Sequence, residues 1–243
     1  PGRPSPTVLV RYTENTNVMT IALTAVAPKS HNAQARMRDR GAAAAGASVG
    51  GDGWLMGAHD IVRPMPVPAP SANARAVVTG ASQNIGEALA VELAARGHHL
   101  IITARRGEVL EALAERLRQQ YGVTVEVRAV DLADPAARGE LCDELATREI
   151  SILCANAGTA TFGPVATLDP AEERKQVQLN VLGVHDLVLA VLPGMVERRA
   201  GGILISGSAA GNSPIPNNAT YAATKAFANT FSESLRGELK PVG

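Results

Sequence analysis

Tyr221 and Lys225 lie four residues apart in the run Tyr-Ala-Ala-Thr-Lys. If this segment is helical, the spacing puts both side chains on the same face. A free tyrosine phenol has a pKa of about 10, and a neighbouring positive charge favours its phenolate form. The pair could therefore exchange a proton with a substrate oxygen. A lone Tyr-x-x-x-Lys match is equally compatible with a buried ring beside a solvated basic side chain.

A glycine-bearing turn upstream has the layout of a nucleotide-phosphate site. The residues Arg75–Thr79 are predicted to form a short buried strand, 80–86 a turn and 87–96 a helix. Glycines in such a turn let the backbone approach a pyrophosphate. The helix N-terminus that follows offers free N–H groups and the positive end of its dipole.

From residue 74 onward, predicted strands and helices alternate. This alternation indicates a three-layer α/β fold, in which helices cover both faces of a doubly wound parallel sheet. Further strands are predicted at 100–103, 123–130, 150–155 and 202–206, and further helices at 108–120, 135–147, 170–192 and 221–239. The second helix is predicted to bury Val109, Leu110, Leu113 and Leu117 and to end at Gly122. Pro193-Gly194 is predicted to break or kink the long helix.

Composition limits the function classes. The 243 residues are 46% hydrophobic and 19% charged with no net charge, enough for one compact domain with a full core. Aromatic residues make up 3% and basic residues are not in excess, so we expect no nucleic-acid partner. The apolar stretch 18–27 is too short to span a bilayer. It could be the core of a signal peptide, but it lacks a clear basic leader. Cys142 and Cys154 are predicted to be reduced core thiols, which fits a cytoplasmic protein without a membrane span.

The first 73 residues differ from the rest of the chain. A proline-rich start, an alanine and glycine tract at 41–53 and a proline-rich stretch at 63–70 have little apolar periodicity. We predict a disordered or low-complexity extension over 1–73 and a folded domain over 74–243. The natural domain could begin at Met19, Met56 or Met65, which limited proteolysis would test.

Five motifs in order resemble the short-chain dehydrogenase/reductase family. The run 79–86 resembles its Thr-Gly-x-x-x-Gly-x-Gly cofactor loop, and the run 156–158 resembles its Asn-Ala-Gly motif. The resemblance covers 75–243 and implies a Rossmann fold and an NAD(P)-dependent oxidoreductase. The implied catalytic residues are Asn180, Ser208, Tyr221 and Lys225. The implied cofactor-binding residues are Gly80, Ser82, Gln83, Asn84, Ile85, Gly86, Arg105, Arg106, Asp131, Leu132, Asn156, Ala157, Gly158, Tyr221 and Lys225.

The resemblance and the chemistry of the side chains together suggest roles. Tyr221 would be the general acid in carbonyl reduction and the base in alcohol oxidation, while Lys225 would also hold the nicotinamide ribose. Ser208 would donate a hydrogen bond to the developing alkoxide, and Asn180 would anchor a water. Alternatively, Asn180 is an amide at a helix kink and Ser208 a strand-end cap. Ser206 lies two residues too far from the tyrosine to match the catalytic serine.

The end of the second domain strand bears on cofactor choice. Enzymes that use NAD usually place an acidic residue there, but this position holds Ala104, followed by Arg105, which could pair with a 2′-phosphate. We therefore predict NADP (NADPH) rather than NAD, with a solvated basic loop as the alternative.

Asp131 matches a position that contacts adenine, but it could instead cap the next turn. Asn84 stands where the family usually has glycine, and asparagine tolerates a left-handed backbone, so we expect the loop to keep its form.

The family pattern continues beyond the Tyr/Lys helix into further strands and a substrate-covering segment. The resemblance therefore implies a domain that is incomplete at its C-terminus, with an exposed fifth strand, weak cofactor binding and little or no turnover. We expect a small-molecule carbonyl or alcohol substrate, with the apolar stretch 159–164 at its entrance suggesting a lipid-like, steroid-like or acyl carbonyl. A homodimer or homotetramer is expected for the intact protein. The alternatives to an active oxidoreductase are a non-catalytic NADP-binding sensor or scaffold and an inactive fragment; the four catalytic matches together favour the enzyme.

Overall fold

The computed structural model describes residues 7–11, 20–24, 67–239 and 241, which fall into two units, 1–67 and 68–243. In the first unit, β1 (Thr7–Arg11) pairs antiparallel with β2 (Thr20–Thr24), a hairpin that the sequence did not predict. The alanine and glycine tract, the stretch 63–66 and the three candidate start methionines lie outside the described residues. The disordered extension therefore stays a prediction.

The second unit contains a five-stranded parallel sheet. Its strands are β3 (Arg75–Thr79), β4 (Leu100–Ala104), β5 (Val125–Ala129), β6 (Ile150–Ala155) and β7 (Gly202–Ile205). They lie in the order β5-β4-β3-β6-β7, so the chain reverses direction across the sheet at the β3/β6 pair. In an open α/β sheet this switch point, at the carboxyl ends of the strands, is where ligands bind. Within the described residues, β7 pairs on one side only, with β6.

Helices flank the sheet in two groups, as the alternating pattern predicted. The helices are α1 (Asn84–Ala95), α2 (Gly107–Tyr121), α3 (Pro135–Ala146), α4 (Pro170–Val177), α5 (Gly183–Arg198) and α6 (Ala219–Leu239). Helix α1 contacts α2, and α3 contacts α5. The core between α5 and the sheet includes Val77, Leu153, Leu187, Val188 and Val191, all at most 3% exposed.

Two details of the predicted helices are wrong. Val109 on α2 is 38% exposed, whereas Leu110, Leu113 and Leu117 are buried as predicted. Of the break or kink predicted at Pro193-Gly194, the break is wrong, because α5 runs through Pro193 to Arg198. A single π-helical turn, Gln178–Leu182, interrupts the long helix between α4 and α5.

The joined helical segment Pro170–Arg198 is long and apolar enough to cross a membrane, judged by length and composition alone, with a mean hydropathy of 1.7 in its most apolar window. Of that window, 39% is buried. Leu187, Val188 and Val191 pack against the sheet from this segment. A core helix of a doubly wound fold passes the same test, so the finding is weak support for a membrane span.

Five alternating charges join β3, β5 and α3 near the amino ends of the strands. Glu126 on β5 accepts from Arg75 at 2.9 Å and from both terminal nitrogens of Arg148 at 2.6 and 2.7 Å. Arg128 binds Glu144 through two hydrogen bonds of 2.7 and 2.8 Å. The hydrogen bonds from Arg148, and then the one from Arg75, lower the pKa of Glu126 to about 2. This network ties three elements together on the side of the sheet away from the glycine turn.

Candidate active site

The glycine turn brings two stretches of backbone into close contact at the carboxyl end of β3. An added Cβ at Gly86 would lie 2.6 Å from the carbonyl carbon of Gly80 and 2.8 Å from Nδ2 of Asn156, so no side chain fits there. Gly80 has φ +66° and Asn84 has φ +51°. The expected left-handed backbone at Asn84 is confirmed, and α1 begins at this residue. The turn thus presents bare backbone and a helix N-terminus to the cleft described below.

Thr79 and Asn156 fasten this turn to the ends of the neighbouring strands. Thr79 Oγ1 accepts hydrogen bonds of 2.9 Å from the backbone N–H groups of Asn156 and Ala157. Asn156 Nδ2 donates to the Thr79 carbonyl at 3.2 Å, and Ser206 Oγ donates to Asn156 Oδ1 at 2.9 Å. Ser206 is therefore a structural partner of the Asn-Ala-Gly motif, a role that its sequence position did not indicate.

A cleft of about 490 Å³ opens beside the turn. Twelve of the predicted cofactor-binding residues line it: Gly80, Ser82, Gln83, Asn84, Ile85, Arg105, Arg106, Asp131, Leu132, Asn156, Ala157 and Gly158. Gly86 packs against the backbone of Gly80 and does not itself line the cleft. Tyr221 and Lys225 are also not among the lining residues. The volume and the bare backbone fit a dinucleotide, since pockets of this size are typical of cofactor sites.

Two charged lining residues were missed in the sequence. Lys175 and Glu172 on α4 face the cleft, and Lys175 Nζ lies 4.0 Å from Oδ2 of Asp131. Both precede Asn180 within about two helical turns, and this spacing was the only available signal. Asp131 also accepts from the backbone N–H of Ala133 at 3.0 Å, so it both caps the turn and lines the cleft.

The two arginines after β4 differ in their contacts. Arg106 Nη2 donates to Oε1 of Gln83 at 2.8 Å and to Oγ of Ser82 at 3.3 Å. Arg105 is exposed and lines the cleft. Both guanidinium groups therefore stand at the end of the cleft where the second domain strand finishes, and Ala104 brings no acidic side chain there.

Lys225 is buried close to Gly158, a residue that lines the cleft. Its side chain is carried by α6, is 9% exposed, and donates from Nζ to the Ser206 carbonyl at 2.8 Å. Burial lowers the pKa of Lys225. A Cβ built on Gly158 would lie 3.8 Å from Lys225 Nζ and 3.3 Å from Asn180 Oδ1. The lysine and the asparagine therefore both lie close to Gly158, which lines the cleft.

Asn180 lies in the π-turn of the long helix and is 2% exposed. Its Oδ1 accepts from the N–H of Thr159 at 2.9 Å, and its Nδ2 donates to the Thr159 carbonyl at 2.8 Å and to Thr224 Oγ1 at 3.1 Å. Both amide hydrogens are therefore used, and a further acceptor site remains on Oδ1. The alternative of an amide at a helix irregularity and the proposed water anchor are compatible with this geometry.

Ser208 begins a short 3₁₀ turn, Ala209–Asn212, and its Oγ accepts from the N–H of Ala210 at 3.1 Å. The hydroxyl hydrogen remains available to a substrate oxygen. Asn229, two turns after Tyr221 on α6, holds the serine in place. Its Oδ1 accepts from Ser208 N–H at 3.3 Å and its Nδ2 donates to the Ser208 carbonyl at 2.9 Å. Sequence reasoning missed Asn229, although its eight-residue offset from the tyrosine puts both on one helix face.

Tyr221 lies in the first turn of α6, as predicted. Lys225 Nζ is 5.8 Å from the centroid of its ring, within the range of a cation–π contact. The structure thus brings Tyr221, Lys225 and Asn180 to the switch point, and Asn229 ties Ser208 to the same helix. Over the described part of the chain, no group of three or more His, Cys, Asp or Glu side chains could hold a metal.

Comparison with known proteins agrees with this arrangement. A family model described as short chain dehydrogenase matches residues 74–243. The very-long-chain 3-oxoacyl-CoA reductase of Laccaria bicolor is 38% identical over 169 residues, which are 68% of this chain and 50% of that protein. The chain spans about half the length of the curated relatives it matches.

Two solved structures are similar in fold and sequence. The short-chain dehydrogenase from Sphingobium yanoikuyae in complex with NADPH is 37% identical, with a TM-score of 0.68, over 70% of this chain and 67% of that one. The bulky-bulky ketone specific alcohol dehydrogenase from Comamonas testosteroni is 34% identical, with a TM-score of 0.68, over 70% and 69%. With its family model, its relatives and its site in agreement, the chain belongs to the short chain dehydrogenase family.

Proposed function

We propose that the protein is an NADPH-dependent reductase of carbonyl compounds, with Asn180, Ser208, Tyr221 and Lys225 as its catalytic residues. The observation that carries the proposal is that Lys225 Nζ and Asn180 Oδ1 both lie close to Gly158, a residue that lines the cleft. A protein that only binds a dinucleotide does not need these four side chains together.

NADPH is proposed because the cleft holds two arginines and no acidic side chain at the end of β4, and because the Sphingobium relative is described in complex with NADPH. Arg105 is free to pair with a 2′-phosphate, and Arg106 already binds Ser82 and Gln83. When bound, the cofactor supplies the hydride that reduces the carbonyl carbon.

The chain's own residues handle the proton and the charge on oxygen. Tyr221 gives its phenolic proton to the substrate oxygen, and the ammonium of Lys225 favours the phenolate that remains. Ser208 donates its free hydroxyl hydrogen to the same oxygen, where negative charge develops. Lys225 uses one donor on the Ser206 carbonyl, which leaves two for the ribose and for a water held at Asn180 Oδ1.

A long-chain 3-oxoacyl thioester is the proposed substrate class. Its support is the names of the curated relatives and two strongly exposed apolar side chains in the stretch 159–164 and directly after it, Phe162 at 77% and Val165 at 53%. A bulky aliphatic ketone is the second probe, because the Comamonas relative is described as specific for bulky ketones.

The test measures NADPH and NADH binding by fluorescence and NADPH oxidation with a 3-oxoacyl-CoA and a bulky ketone, for the unmodified chain and for Ser208→Ala. We expect weak binding that is nevertheless tighter for NADPH than for NADH, and a low turnover that Ser208→Ala lowers further by about 10²-fold. Binding of NADPH without turnover on either probe would instead support a non-catalytic binder or an inactive fragment, and failure to bind NADPH would refute the proposal.

We also propose a cytoplasmic location and a homodimer or homotetramer for the intact protein. Both cysteines are free thiols, which fits a reducing compartment. Leu189, 53% exposed, and Val196, 38% exposed, give α5 an apolar outer surface suited to a second copy. Cell fractionation and light scattering after size-exclusion chromatography test the two proposals separately.

A further inference from the structure

Glu173, in the first turn of α4, binds hydroxyl groups from two segments on either side of the candidate active site. Its two carboxylate oxygens accept hydrogen bonds from Oγ1 of Thr161 and Oγ1 of Thr220. Thr161 lies two residues after Thr159, whose backbone Asn180 binds. Thr220 directly precedes Tyr221. The carboxylate therefore connects the entrance segment, defined as residues 159–164, with the helix of the tyrosine.

Two further hydrogen bonds fix the entrance segment. Gln176, one turn after Glu173 and fully buried, accepts at Oε1 from the Thr161 N–H at 2.6 Å. The N–H of Gly163 donates to the Asn217 carbonyl at 2.8 Å, just before α6. Since Phe162 is 77% exposed, its ring contributes little packing, and polar contacts must hold the segment in place.

We propose that Glu173 is a positioning residue for the carbonyl substrate, which fixes the entrance segment at a set distance from Tyr221. This role rests on the proposed reductase function. A carboxylate that accepts two hydroxyl hydrogens is a strong, charge-assisted tie, and it selects one position of the segment. The hydrogen bond from Thr161, and to a smaller extent the one from Thr220, lowers the pKa of Glu173, so its carboxylate stays ionised at neutral pH. The segment then offers Phe162 as one wall for the aliphatic part of the substrate.

The test combines hydrogen exchange with kinetics on the full chain. Glu173→Gln retains one carbonyl acceptor, but its amide nitrogen cannot accept the second hydroxyl. Thr161→Val removes one hydroxyl at nearly constant shape, and Thr161→Ser restores it. Glu140→Gln, at an exposed position of α3, removes the same charge elsewhere.

We expect amide exchange in residues 159–164 to be about tenfold faster in Glu173→Gln and Thr161→Val. Exchange in Thr161→Ser and Glu140→Gln should match the unmodified chain. With a 3-oxoacyl-CoA, the first two variants should raise KM about tenfold while kcat changes less than about twofold. NADPH affinity should be unchanged in all four.

The outcomes separate this proposal from the proposed function. Unchanged exchange in residues 159–164 of Glu173→Gln, or a fall in kcat at constant KM, would overturn the role of Glu173. If the unmodified chain binds NADPH but reduces neither probe, the reductase function falls, and the exchange measurement alone decides whether Glu173 fixes the segment.

Discussion

Gly86→Ala tests the close backbone contact on which the cofactor cleft depends. The added methyl group would lie 2.6 Å from the carbonyl carbon of Gly80 and 2.8 Å from Nδ2 of Asn156. Protein Cβ atoms do not approach other heavy atoms this closely, and the Gly80 atom belongs to the backbone, which cannot rotate away. The turn must therefore move, and with it the 3.2 Å hydrogen bond from Asn156 to Thr79.

The matched control is Gly139→Ala on α3, where an added Cβ meets no atom within 4 Å. Both glycines are helical, so alanine lowers the conformational cost of folding at each position by at most about 1 kcal/mol. Forcing a methyl group into a packed site costs about 1–3 kcal/mol. We expect Gly139→Ala to stabilise the domain by about 0.5–1 kcal/mol, whereas Gly86→Ala should destabilise it by up to about 2 kcal/mol.

Urea unfolding followed by far-ultraviolet circular dichroism gives the two free energies of unfolding, and a fluorescence titration gives NADPH affinity. Gly86→Ala should also bind NADPH at least about tenfold more weakly, because the moved turn no longer presents its backbone to the pyrophosphate. Equal stability and equal NADPH affinity in the two alanine variants would refute the close-contact explanation.

Three further predictions address other parts of the domain. Because the folded pKa of Glu126 is depressed from 4.5 to about 2, its contribution to stability is present above pH 4.5 and is lost as pH falls toward 2. Glu126→Gln should lower the free energy of unfolding by about 1–2 kcal/mol at pH 7 and should flatten the loss of stability in acid unfolding titrations. An unchanged acid transition in this variant would count against the network. Asn229→Leu should lower kcat about tenfold through a displaced Ser208, with NADPH affinity retained; normal turnover in that variant would show that the serine is held by other contacts. Arg105→Ala should weaken NADPH binding about tenfold or more but leave NADH binding nearly unchanged, as measured by parallel titrations, since only the 2′-phosphate is affected; equal losses for both cofactors would contradict this.

Most of the domain could be predicted because its local patterns and its tertiary structure agree. The strands at Arg75–Thr79 and Ile150–Ala155 have the predicted bounds, since short apolar runs between turn residues suit a buried parallel sheet. Gly122 ends α2 in the left-handed conformation that glycine favours.

The errors arise where tertiary contacts override local preference. Pro193 remains within α5 because the helix packs along the sheet on both sides of it. The π-turn at Asn180 is stabilised by Thr159, which lies 21 residues away in the sequence, so no local pattern could reveal it. Val109 faces solvent because three leucines already cover the buried stripe of α2.

Some residues of the candidate site could likewise be predicted from the sequence, and others could not. Residues in family motifs, such as Gly80 and Lys225, could be identified from their order along the chain. Asn229 and Glu173 could not, because they act through hydrogen bonds to backbone or hydroxyl groups in distant segments, and such contacts have no fixed spacing.

The most direct test of the proposed mechanism asks whether Tyr221 delivers the proton. The Tyr221→Phe variant keeps the ring and removes the hydroxyl. In reactions with deuterium-labelled NADPH and a 3-oxoacyl-CoA, we expect the unmodified chain to transfer deuterium to the carbonyl carbon. The variant should do so about 10²–10⁴-fold more slowly with unchanged NADPH affinity. Transfer at equal rates in both proteins would contradict the assignment of this phenol as the proton donor.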